Sequence, residues 1–246
     1  MPGPARAYPD GVSRRRRSGG GPAVSIILVL AAVVIAVLWT VGGSPRATGA
    51  APASPRPAVT ADAGLLTTIA SLPAAPSEPV DGYERDLFGK GWKDPDRNGC
   101  DARNDVLARD LADTTFKGGT HDCVVLTGTL QDPYTGTTIR FQRGNDTSEL
   151  VQIDHIVPLS WAWQHGAAFW SGDERTQFAN DQLNLLAVDG PTNSAKSDSG
   201  PADWLPPDAD YSCEYAERFT AVLVTYALGI DDADRSALSA VAAQCG

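Results

Sequence analysis

"VQIDHIVPLS", residues 151–160, sets an Asp beside a His in the middle of a mostly apolar, strand-like run. A carboxylate and an imidazole are costly to bury unless something pairs with them, so this pair is either satisfied locally or used for chemistry. In a regular strand Asp154 and His155 point to opposite faces. Both can reach one site only where the strand bends or ends, and Pro158, which cannot donate to a ladder, is placed to end it.

The segments on either side alternate between helical and strand-like patterns. "NGCDARNDVLARDLADT" (98–114) carries Val106, Leu107 and Leu111 on one face with acids early, which predicts an amphipathic helix of about three turns. "CVVLTGTL" (123–130) and "TTIRFQRG" (137–144) are strand-like and flank "QDPYTG", whose Pro and Gly suit a tight turn, so they predict a hairpin. The run around Asp154 is a third strand and "QLNLLAVDG" (182–190) a fourth. Between these two lie "SWAWQHGAAFW" and "GDERTQFAND", two short helices whose aromatics Trp161, Trp163, Phe169, Trp170 and Phe178 are assigned to the core. "PTNSAKSD" (191–198) opens as a helix on Pro191. "CEYAERFTAVLVTYAL" and "DADRSALSAVAAQ" close the chain as two more helices. The expectation is an α+β domain, mainly helical, with an extra β-hairpin.

Upstream the composition changes. Residues 1–22 form a Pro-, Gly- and Arg-rich tail ending in "RRRR" (14–17) and a short Gly-rich stretch. The uncharged run "AVSIILVLAAVVIAVLWTV" (23–41) follows, long enough to cross a bilayer as one helix. The arginines predict a cytoplasmic N-terminus and export of everything after Val41. The alternative is a cleaved signal segment with "ATGA" (47–50) as its cleavage site, but the apolar run exceeds a usual signal core of about 7–15 residues, which favours a single-pass anchor. Residues 42–80, rich in Ala, Pro, Ser and Thr, read as a disordered tether. That leaves 81–246 as the exported domain, a comfortable size for one core.

The four cysteines, Cys100, Cys123, Cys213 and Cys245, all lie in this domain and form no C-x-x-C pair, which argues against a zinc knuckle and agrees with export. Of three possible connectivities, Cys100–Cys123 with Cys213–Cys245 is favoured because each bond would staple neighbouring elements. From Asp81 onward there are 27 Asp plus Glu against 13 Lys plus Arg. A broad basic surface for nucleic acid is therefore excluded. A polyphosphate substrate would need bound cations and a few local basic groups.

Taken in order, "DHIVPLS" (154–160), "NLLAV" (184–188) and "NSAK" (193–196) resemble the His-Asn-His (HNH) endonucleases. "RNDVLARDL", "DPYTG", "FANDQLNLLAV" and "DWLPP" extend the likeness across nearly the whole exported domain, toward a secreted actinobacterial branch. The resemblance implies a ββα-metal core, two antiparallel strands and a helix around one divalent ion, and a nucleic acid substrate, DNA before RNA. It implies that Asp154 and Asn193 hold the metal and that Asn184 fixes the His-bearing segment by bonding backbone. The chemistry agrees. His155 has the unperturbed pKa suited to removing a proton from water near neutral pH. Asp154 and Asn193 offer hard oxygens suited to Mg²⁺, with Mn²⁺ as the alternate. Lys196, one turn after Asn193, shares its helix face and is positioned to steady a phosphate or leaving group. Two features depart from the family: the zinc-binding cysteine pairs of many members are missing, and 28 residues separate His155 from Asn184, more than in compact relatives.

Three further patterns stand outside this motif. "DPDRNGCDARND" (94–105) matches a calcium loop through Asp94, Asp96, Asn98, Gly99 and Asp105, although the twelfth position is Asp rather than Glu. The competing reading is a turn and N-cap whose acids favour the next helix. His165 is read as a solvated surface residue rather than a phosphate contact, and His121 as structural. Arg140 and Arg143 lie on the same strand-like run and either approach a nucleic acid backbone or form surface ion pairs. The functional expectation is a metal-dependent endonuclease acting outside the cytoplasm. The alternatives are a non-catalytic exported domain that binds nucleic acid or protein on the same fold, and a different metal hydrolase of the cell envelope. No protein partner is inferable.

Overall fold

The computed structural model describes residues 63–144 and 148–245. The expected basic tail (1–22), membrane span or signal segment (23–41) and first part of the tether (42–62) lie outside the described residues. Among the described residues no helix is long and apolar enough to cross a membrane.

The fold is α+β. Its elements run α1 (Ala63–Ser71), a 3-10 turn (Arg85–Phe88), α2 (Ala102–Asp110), β1 (Leu111–Phe116), β2 (Val125–Gln131), β3 (Thr138–Gln142), β4 (Val151–His155), α3 (Leu159–Gln164), α4 (Gly172–Asn180), β5 (Leu185–Asp189), α5 (Gly190–Lys196), α6 (Ser212–Thr225) and α7 (Asp232–Ala242). Strands β1, β2 and β3 form one antiparallel sheet, and β4 and β5 pair in a second.

Two expectations are corrected. The tether was expected to be disordered as far as residue 80, yet α1 lies within it and buries Ile69 completely. Arg235 of α7 donates to the carbonyls of Ile69 and Leu72, and Ala74 bridges to Ile230. The apolar residues of this segment are few, but Ile69 and Leu72 enter the core and Leu65 packs against it, while Leu66 stays exposed. The helix expected over 98–114 stops at Asp110, and Leu111 starts β1 by pairing with Leu130. Thr114, Thr115 and Phe116 favour a pleated strand. The register slips between Ala112 and Thr115, where Asp113 adopts a left-handed φ of 52°, the mark of a bulge.

The β2–β3 hairpin forms as expected, its turn closed by Asp132, which accepts from the Thr135 backbone N–H and hydroxyl. Strands β4 and β5 pair in register from Val151 opposite Asp189 to His155 opposite Leu185. This ribbon is buried on both faces, which explains the unbroken apolar run of β5. Leu185 and Ala187 face a cluster with Val106, Leu107, Val125 and Phe141, whereas Leu186 and Val188 face a larger aromatic-rich core under α1, α3, α4, α6 and α7. Helix α5 follows β5 at once. Asp189 caps it by accepting from the Thr192 N–H, and Pro191 sits in its first turn.

Of the aromatics assigned to the core, Trp161, Trp163 and Phe178 are buried and Trp170 packs at its margin. Phe169 is 76% exposed, because Gly166 at φ 133° turns the chain into a 3-10 turn that carries Phe169 outward. Disulfides join Cys100 to Cys123 and Cys213 to Cys245. The first ties the approach to α2 to that of β2, and the second ties the start of α6 to the chain beyond α7.

Candidate active site

Strand β4 ends at His155, and the next residues turn away under control of a distant side chain. Asn184, fully buried, accepts the Val157 N–H at 2.8 Å and donates to the Val157 carbonyl at 3.1 Å, while its own carbonyl accepts from Ile156. The bend this fixes lets adjacent residues of β4 contribute to one wall. Asp154, His155 and Asn193 line a single cleft of about 310 Å³, together with Tyr83, Arg85, Ser160 and Asp198.

His155 is buried beside this cleft, with its ring parallel to that of Trp92. Its Nε2 lies 2.9 Å from the Ala179 carbonyl. A carbonyl only accepts, so Nε2 carries the proton and Nδ1 keeps the lone pair that can take one. Burial pulls the imidazole down to about 4; the charges of Arg85 and Lys196 act in the same direction and the Ala179 bond opposes them. The neutral, proton-accepting form is therefore the resident one at neutral pH.

Asp154 is also buried, and its carboxylate is heavily engaged. Lys196 Nζ lies 3.0 Å from both oxygens and donates in addition to the His155 carbonyl at 2.9 Å. The Tyr134 hydroxyl donates to Oδ2 at 2.5 Å. Burial pushes the Asp154 carboxyl up and the Lys196 ammonium down, while their mutual attraction opposes both shifts. Lys196 has no solvent exposure. The expectation that it steadies a phosphate is corrected: its ammonium is turned inward as the counter-ion of Asp154, 5.9 Å from the Trp204 ring. Asn193 stands on the cleft wall, with its Nδ2 donating to Gln152 Oε1 at 2.8 Å.

The cleft's donor set fits a divalent cation. Asp154 is a hard carboxylate at the cleft, and Asn193 offers a neutral amide oxygen on the same wall. Asn184 and Lys196 stand behind that wall, bonded to Val157 and to Asp154.

Sequence reasoning missed Tyr134 and Arg85. Tyr134 was visible in "DPYTG" only as part of a turn. Arg85 lies nearly 70 residues before His155, in a 3-10 turn, and no spacing connects it to the motif. The other expected contacts fall elsewhere. His165 is buried rather than solvated, and Arg143 is held by the Val125 carbonyl and Asn104 Oδ1, facing inward. Arg140 is exposed on β3, away from the cleft, and His121 sits in an exposed turn at φ 51°. In the loop 94–105, Asn98 donates to Asp96 and Asp105, and Asp94 accepts the N–H groups of Asn98 and Gly99. Asp101 caps α2 by accepting from Asn104. The turn-and-cap account thus explains most of these acids without an ion.

Residues 101–241 match the family described as GmrSD restriction endonucleases, C-terminal domain. The chain belongs to this family. It is also 36% identical over 197 residues to an uncharacterized secreted protein of Arthroderma benhamiae, an alignment covering 79% of this chain and 91% of that protein. No solved structure matches it. The GmrSD C-terminal match takes in Tyr134, Asp154, His155, Asn184, Asn193 and Lys196, while Tyr83 and Arg85 precede it.

Proposed function

We propose that this chain is a metal-dependent endonuclease of HNH type, in the secreted branch its motifs resemble, which hydrolyses phosphodiester bonds in DNA outside the cytoplasm. The β4–β5–α5 unit would then be a ββα-metal core. The observation that carries the reading is the convergence of Asp154, His155 and Asn193 on one cleft. Membership in a restriction endonuclease family supports it, as do two disulfides and a relative described as secreted. Residues 23–41 would anchor the chain in the membrane.

In this reading His155 Nδ1 takes a proton from a water molecule as its oxygen attacks phosphorus, and the bond from phosphorus to the leaving oxygen breaks. Arg85, exposed at the cleft and close enough to depress His155, contacts a non-bridging phosphate oxygen. Asp154 and Asn193 would hold Mg²⁺, or Mn²⁺ in its place. When bound, the ion supplies neutralisation of charge on the phosphate and the leaving oxygen. Lys196 and Tyr134 orient Asp154, and Asn184 holds the segment beyond His155.

The full chain should nick plasmid DNA with Mg²⁺ and not with EDTA, and His155→Ala should lower the rate by about 10²–10⁴. Equal cleavage by both proteins would remove His155 as the base. Binding without cleavage in either would favour the non-catalytic alternative.

A further inference from the structure

Outside the cleft, among the described residues, one group of side chains sets an imidazole against two carboxylates. The ligand atoms of His165, Asp231 and Asp234 all lie within 4.8 Å of one another. His165 follows α3, whereas Asp231 is the N-cap of α7 and Asp234 lies in its first turn. His165 is nine-tenths buried and stacked on Trp161, with ring centroids 3.4 Å apart. Its Nδ1 sits 2.6 Å from the Trp161 carbonyl, so Nδ1 carries the proton and Nε2 keeps its lone pair. That lone pair faces Asp231 Oδ2 at 3.6 Å, beyond hydrogen-bond reach.

Asp234 is braced from behind. Its Oδ2 accepts from Trp161 Nε1 at 2.8 Å and its Oδ1 from the Ala202 N–H at 2.7 Å, and each oxygen keeps a lone pair. Burial pushes this carboxyl up, and the Asp231 charge adds to the shift. An imidazole nitrogen and two carboxylates facing one another present three ligand atoms to a cation set between them. The support behind them is of the kind that surrounds metal-binding histidines, whose second nitrogen donates to a carbonyl or carboxylate. The 3.6 Å between His165 Nε2 and Asp231 Oδ2 fits as well: with metal–ligand bonds of about 2.0–2.1 Å, neighbouring ligand atoms of a tetrahedral site lie roughly 3.4 Å apart.

We propose that His165, Asp231 and Asp234 form a second cation site, for a divalent transition ion of the Zn²⁺ kind, which fastens the start of α7 to the end of α3. One imidazole nitrogen and two carboxylates suit such a borderline ion, whereas Mg²⁺ and Ca²⁺ favour oxygen ligands throughout. Asp231, half exposed, gives an ion a way in. The proposal is independent of the nuclease reading.

The test uses the full chain, stripped of metal by a chelator and carrying Asn193→Ala so that the cleft cannot supply its donor pair. Calorimetric titration with Zn²⁺ should show a single site per chain, and a hundredfold excess over Kd should raise Tm by at least about 5 °C. Asp231→Asn retains an N-cap acceptor, so it should leave the metal-free Tm unchanged while weakening Zn²⁺ at least tenfold. A chain that takes up no Zn²⁺, or that binds it equally well with Asp231→Asn, overturns the proposal. A matching response to Mg²⁺ or Ca²⁺ overturns the class of ion.

Discussion

At Asp154 the cost of burying a carboxylate is met by an ammonium and a phenol hydroxyl, and neither is exposed to solvent. Because desolvation offsets much of the attraction in such a pair, its removal is felt mainly through the charge left behind. Lys196→Met should therefore lower stability by about 3–5 kcal/mol in urea unfolding. A change under 1 kcal/mol would mean that Asp154 is held neutral without its lysine. His155 yields a pH dependence whose sign follows from its depressed folded value. Below the ordinary 6.5 the unfolded chain takes a proton that the folded chain refuses until about 4. The stability contributed by the buried neutral ring is thus present above pH 6.5 and lost as pH falls through that window. Wild type should lose stability between pH 6.5 and 4 more steeply than His155→Gln, whose amide can still donate to Ala179. Parallel pH profiles would show that the ring is not held neutral.

Among the elements, the junction of β5 and α5 sets where Asn193 stands. Asp132 accepts the Asp189 N–H, Asp189 caps α5, and the backbone of Glu149 passes so close to Gly190 that a Cβ there would lie 1.9 Å from the Glu149 carbonyl oxygen. Gly190→Ala should shift α5 and cost about 1–3 kcal/mol, with loss of cleavage if Asn193 holds the metal. Unchanged unfolding and activity would mean that the loop before β4 yields freely. This junction also marks what the sequence could disclose. The apolar run of β5, Pro191 and the N-x-x-K spacing carry local information, so the strand and the helix that bring Asn193 to the cleft of Asp154 were legible. The inward turn of Lys196 was not, because it depends on Tyr134, Trp204 and the His155 carbonyl closing around it. Spacing fixes the side of a helix, not what lies opposite. Strand β1 was hidden for a related reason: Leu111 continues the helical period of α2, and only pairing with Leu130 makes it a strand residue.

For the molecule as a whole, the β4–β5 ribbon is wedged between two cores, so the cleft depends on elements that never touch it. The disulfides reinforce both ends, closing separations of 23 and 32 residues. Chain-entropy arguments put each at roughly 3–4 kcal/mol, so full reduction should lower Tm sharply while leaving the motif residues unaltered. Helix α1 bears on the larger core. Ile69 is completely buried, Leu72 nearly so, and Arg235 binds the end of the helix through carbonyls of Ile69 and Leu72. Composition alone would start the domain at Asp81, a boundary that strips away α1 and uncovers apolar surface on α6 and α7. Burying side chains of this size contributes about 1.5–3 kcal/mol each. A chain starting at Asp81 should therefore be less stable than one starting at Ala63 by roughly 3–5 kcal/mol. Urea unfolding of the two compares them directly, and equal midpoints with equal slopes would show that α1 rests on the core without stabilising it. Since α7 also carries Asp231 and Asp234, the shorter chain should bind Zn²⁺ more weakly as well, which ties the tether-side helix to the ion site through one shared element.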